Sequence, residues 1–157
     1  MSDHLAKIEW ARGDAEFTYQ TYPRAHTVRF ANGHTVMASA APGYEGDTDS
    51  GGSKVDPEAM LVGAVASCHM LTFLALAAKK RLVVESYTDD ASGVLGRVGN
   101  ESGGTRMAVT AITLRPKIVF GGENRPDEDT VTAMHEKSHH HCFIANTVNC
   151  AITVEPA

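Results

Sequence analysis

Three cysteines, Cys68, Cys142 and Cys150, are the residues of this 157-residue chain best suited to covalent chemistry. The thiolate is the nucleophilic form of cysteine, so its surroundings decide whether it reacts or merely packs. Cys68 stands in Ser67-Cys68-His69, inside a long apolar stretch, where an inert buried thiol is the competing reading. Cys142 follows His139, His140 and His141 at the end of a predicted helix. Imidazoles and helix ends can lower a thiol pKa, which makes Cys142 better placed for exchange than Cys150. An ordinary packed cysteine is the alternative there too. Cys150 lies in the last strand, in Asn149-Cys150-Ala151, where alternation predicts a core position.

Charged and ligating residues surround these thiols in sequence. Glu58 lies ten residues before Cys68 on the same predicted helix, about 15 Å along its axis, too far for direct contact in an unbroken helix. Arg24, in a turn after Pro23, and Arg29, in the next strand, are two candidates for a cation beside a thiolate, and either suits a surface charge equally well. His135 and His139 stand four apart, and with Cys142 they form a conceivable zinc set. No paired upstream ligands accompany them, and three consecutive histidines cannot face one point of a helix. The plainer reading is a solvated helix C-terminus, where cations meet the negative end of the dipole. No metal and no cofactor are therefore assigned.

The elements that must position these residues are legible from turn signals and periodicity. Strands are predicted at 7–12, 16–21, 26–30 and 34–40, with Gly13-Asp14 and Asn32-Gly33 as turns, forming an antiparallel meander. Residues 42–54, rich in Gly, Asp and Ser, read as a surface loop. A helix then opens with Asp56 as cap, Pro57 in the first turn and Glu58 at the positive pole, and runs to about Lys80. Further strands are predicted at 82–88, 93–98 and 107–120, with Gly103-Gly104 between the last two and a bulge or edge position at Pro116. A shorter helix at 127–139, a helical turn at 143–147 and a strand at 151–154 close the chain. This order predicts one α+β domain over residues 1–157.

Residues 59–78 are long and apolar enough for a membrane span, and Lys79, Lys80 and Arg81 follow them. Their many small residues, and the strands on either side, favour a central helix covered on every side by other elements. No membrane association is expected. Composition narrows the function further: 14 basic residues are scattered, the net charge is -5, and nothing is shaped to bind nucleic acid. The first twelve residues have neither the basic start nor the apolar run of a secretory signal, so a cytoplasmic location is expected. In that reducing setting an odd, sparse set of cysteines points to catalytic or sensing thiols.

The run Asp56-Pro57-Glu58-Ala59-Met60-Leu61, small residues, then Ser67-Cys68-His69-Met70 resembles the Glu-to-Cys helix of the OsmC/Ohr family, with matching spacing. His135-Glu136, followed by Cys142-Phe143-Ile144-Ala145-Asn146, is similar to the family's second helix and second cysteine. The resemblance covers nearly the whole chain. It implies antiparallel sheets wrapped around long buried central helices in an intertwined homodimer. It further implies a thiol peroxidase for organic hydroperoxides, with hydrogen peroxide a further substrate. Cys68 would be the peroxidatic residue and Cys142 the resolving one. Glu58 and an arginine, Arg24 ahead of Arg29, would hold the thiolate and orient the peroxide. An external dithiol, such as a lipoyl-bearing protein, would reduce the resulting disulfide. Two features depart from the family pattern: His69 stands where an aromatic more often follows the cysteine, and His139–His141 form an unusual run. A non-catalytic dimer that binds a ligand or metal, or senses redox state, is the competing function.

Overall fold

The first sheet is built on a short alternating strand, β2 (His26–Phe30), whose buried Val28 pairs with Ile8 of β1 (Ala6–Glu9) and Val36 of β3 (Thr35–Ala38). In this computed structural model, which describes residues 2–44, 54–99 and 103–156, both pairings are antiparallel. The β2–β3 turn needs a left-handed residue, and Gly33 supplies it at φ 88° while the Asn32 side chain accepts the His34 N–H at 3.1 Å. The strand expected at 16–21 is absent. Its hydroxyls instead close turns: the Thr18 and Thr21 hydroxyls bond each other at 2.7 Å, Thr21 Oγ1 donates to the Glu16 carbonyl, and Tyr22 N–H reaches the Thr18 carbonyl. Such local bonds compete with a ladder. The loop expected at 42–54 lies mostly outside the described residues.

Helix α1 (Pro57–Lys79) begins as its sequence requires, with the Asp56 carboxylate accepting the Ala59 N–H at 2.7 Å. It ends at Arg81, a left-handed residue with φ 59°, where Leu82 N–H bonds the Ala77 carbonyl and so satisfies a helix-end acceptor. Within one chain its contacts cover one side only. Only Val65, His69, Phe73 and Ala77 are buried, one stripe at a spacing of four, while Gly63, Ala64, Ser67, Leu71, Ala75 and Ala78 are exposed. Too few elements of one chain lie around this helix to cover its whole circumference.

Two sheets and a second helix take up that stripe. β4 (Val83–Asp89) pairs with β7 (Pro116–Gly121). β5 (Ser92–Gly99), β6 (Thr105–Leu114) and β8 (Ala151–Val154) form the other sheet, in which β6 and β8 run parallel. The single strand expected at 107–120 is therefore two, in different sheets, parted at Arg115. Pro116 lacks the N–H that a continued ladder needs, and Arg115 N–H turns aside to the Asp89 carboxylate at 2.7 Å. Helix α2 (Glu128–His141) is capped by Asp127, which accepts the Thr130 N–H at 2.8 Å. Val65 packs on Ile112 and Leu114, whereas Phe73, Ala77 and Leu82 pack with Met134 of α2. By its contacts the chain gathers into two compact units, residues 1–60 and 61–157.

Candidate active site

In the second unit the two thiols named from sequence are brought together. Cys68 sits half-buried on α1, and Cys142 is fully buried at the C-terminal cap of α2. No disulfide joins them, and Cys68 is a near neighbour of the Cys142 thiol. Ala145 N–H donates to Cys142 Sγ at 3.3 Å, which anchors that sulfur to the turn after α2. The expected lowering of the Cys142 pKa is reversed. Burial pushes the thiol up to about 11, and the neighbouring Cys68 adds to the rise. The Cys142 thiol therefore stays protonated near neutral pH. The helix-end argument had the wrong pole: Cys142 caps the negative end of α2. Cys150 stands half-buried just before β8, against the Val65, Ile112 and Leu114 cluster, and away from this contact.

Behind the thiols lies a pair that sequence reading did not identify. His69 occupies the buried stripe of α1 between Val65 and Phe73, and its Nε2 lies 3.1 Å from Nδ1 of His135 on α2. The rings are nearly parallel, 8° apart, and exposed by only 1% and 4%. Burial, then the neighbouring His135 and His139, lower the His69 pKa to about 4, and burial lowers that of His135. The signal was present in the spacing, since Val131, Met134, His135, Ser138 and Cys142 recur at helical intervals on the inner side of α2. His139, His140 and His141 are exposed. The conceivable zinc set is thus divided, and among the described residues no three His, Cys, Asp or Glu gather where a metal could sit.

The first unit holds the charged candidates. Arg24 is 9% exposed and its guanidinium lies over the Tyr22 ring at 3.7 Å. It donates to the Tyr22 carbonyl at 2.5 Å and to the Tyr19 carbonyl, while its Nε is buried without a partner. Arg24 lines an apolar groove of about 550 Å³ with Trp10, Phe17, Tyr22, Ala40 and Pro57. Arg29 instead is exposed on β2, 3.5 Å from Glu9. Glu58 is half-buried in the first turn of α1 and its Oε2 is buried without a partner. Helix α1 is unbroken between Glu58 and Cys68, so no bend shortens their separation.

A half-buried cysteine on a long helix, beside a buried cysteine that caps a second helix and set on mixed sheets, makes this an α+β domain with two neighbouring thiols. The chain belongs to the OsmC-like protein family, whose model matches residues 50–157. An OsmC-like protein of unknown function from Vibrio cholerae is 41% identical over the whole of both chains, with a TM-score of 0.88. An organic hydroperoxide resistance protein from Elizabethkingia anophelis shares the fold at 16% identity and a TM-score of 0.67, covering 99% of this chain and 94% of its own. The organic hydroperoxide resistance protein OhrB of Bacillus subtilis does so at 16% identity and a TM-score of 0.59, with 98% of each chain covered. No curated protein matches.

Proposed function

We propose that this protein is a thiol-dependent peroxidase that reduces organic hydroperoxides through Cys68, with Cys142 as its resolving thiol. The observation that carries the reading is the asymmetry of the pair: Cys142 is buried and keeps its proton, and Cys68 beside it is the more accessible. The Cys68 thiolate attacks the distal peroxide oxygen, the O–O bond breaks, and the alkoxide takes a proton to leave as alcohol. Cys68 is then a sulfenic acid. Cys142 attacks that sulfur, its proton leaves with the hydroxyl as water, and a disulfide forms before further oxidation. An external dithiol, for which a lipoyl-bearing protein in the cytoplasm is the proposed source, restores both thiols by exchange.

Arg24 and Glu58 are the proposed charges of the site, Arg24 being favoured over Arg29 because it is buried in an apolar groove. A peroxide with an apolar tail suits such a groove, and the guanidinium suits the charge that develops on oxygen. A second copy of the chain is the proposed cover for the exposed small-residue face of α1, in an intertwined homodimer whose single domain spans residues 1–157.

One equivalent of cumene hydroperoxide should link Cys68 to Cys142 within a chain, as read by mass spectrometry of peptides. With dihydrolipoamide present, Cys68→Ser should abolish turnover and Cys150→Ser should leave it intact. Full activity in Cys68→Ser overturns the mechanism.

A further inference from the structure

We infer that the buried His69–His135 hydrogen bond is the tie that holds Cys142 in register with Cys68, which makes these two histidines positioning residues for disulfide closure. This role rests on the peroxidase reading above. His69 is the residue next to Cys68 on α1, and its side chain turns inward where that of Cys68 stays partly open. His135 precedes Cys142 by seven residues, two turns of helix, so both lie on the same side of α2 about 10.5 Å apart along its axis. Any rotation or slide of α2 that carried Cys142 away from Cys68 would therefore also break the imidazole contact.

The chemistry of the pair suits register more than packing. Among the described residues it is the sole side-chain hydrogen bond between α1 and α2, at 3.1 Å. The other ring nitrogens, His69 Nδ1 and His135 Nε2, are buried with no partner. Two apolar side chains would fill this space without desolvating four nitrogens. What the imidazoles add is direction, because a hydrogen bond weakens steeply with misalignment whereas an apolar contact slides. The Phe73 ring, 4.6 Å from that of His135, supports it from the next turn of α1.

The test separates the two thiol steps. In the full-length protein treated with one equivalent of cumene hydroperoxide, Cys68 sulfenic acid is trapped with dimedone and closure is followed by mass spectrometry. His69→Phe and His135→Phe should slow closure roughly tenfold while sulfenic acid formation falls by less than about threefold. His69→Gln and His135→Asn, whose amide nitrogens stand near the lost ring nitrogens, should return closure to within about threefold of the unaltered protein. Closure within about twofold of the unaltered protein in folded phenylalanine variants, or failure of the amides to restore it, overturns the positioning role. If the phenylalanine variants do not fold, nitrogen-15 spectra of the unaltered protein decide: a through-bond coupling between His69 Nε2 and His135 Nδ1 is required, and its absence overturns the tie. An unaltered protein that forms no sulfenic acid overturns the peroxidase reading itself, and the positioning role falls with it.

Discussion

Cys68 and Cys142 differ in what surrounds each sulfur, and on the peroxidase reading that difference orders their reactions. Cys142 is enclosed and holds its proton, and on the peroxidase reading that proton leaves with the sulfenic hydroxyl as water. His69 shows the same effect of burial on a base. Its pKa falls from an ordinary 6.5 to about 4, so between these values the unfolded chain binds the proton that the folded one refuses. The stability this group contributes is complete above about pH 6.5 and is lost as pH falls toward 4. Thermal unfolding followed from about pH 7 to about pH 4.5 should show a falling midpoint, and His69→Phe should make the fall shallower. An equally steep fall in the variant would place the titration elsewhere.

At the scale of elements, α1 is the organiser, because one stripe of it meets both sheets of its unit and α2. Phe73 is the centre of that contact: fully buried, it touches Tyr87, Phe120 and His135 and packs with Met134. Phe73→Ala should cost about 3–5 kcal/mol in chemical denaturation, since the cavity lies among elements that cannot all collapse into it. A loss below about 1 kcal/mol would show that the cluster repacks freely. The helices were readable in advance because their opening chemistry is local: the Asp56 cap and the acidic start at Asp127 each bond an N–H three residues on. The strands at 16–21 and 107–120 were misread for a different reason. Hydroxyl-to-carbonyl turns around Thr18 and Thr21, and the change of sheet at Arg115, depend on partners that apolar periodicity does not reveal.

For the whole molecule, the open face of α1 is the main unsettled surface. Leu71 is 60% exposed on a helix otherwise lined there by Gly63, Ala64, Ser67 and Ala75, residues small enough for a second helix to approach closely. On the homodimer reading, the protein should sediment as a dimer and Leu71→Arg as a monomer, because the interface would have to bury an unpaired charge. A monomeric unaltered protein would overturn that reading.

By itself the sequence determined the α+β order, the Asp56 cap, the closing strand and, through its resemblance, the family, because each rests on local backbone chemistry or on a motif read along the chain. Only the tertiary structure decided that Cys142 keeps its proton, that Arg24 is buried where Arg29 is exposed, that His135 faces His69, and that α1 is covered along one stripe within its own chain. Burial and cross-chain distance govern all four. They arise when residues far apart in sequence meet, and no spacing along the chain contains them.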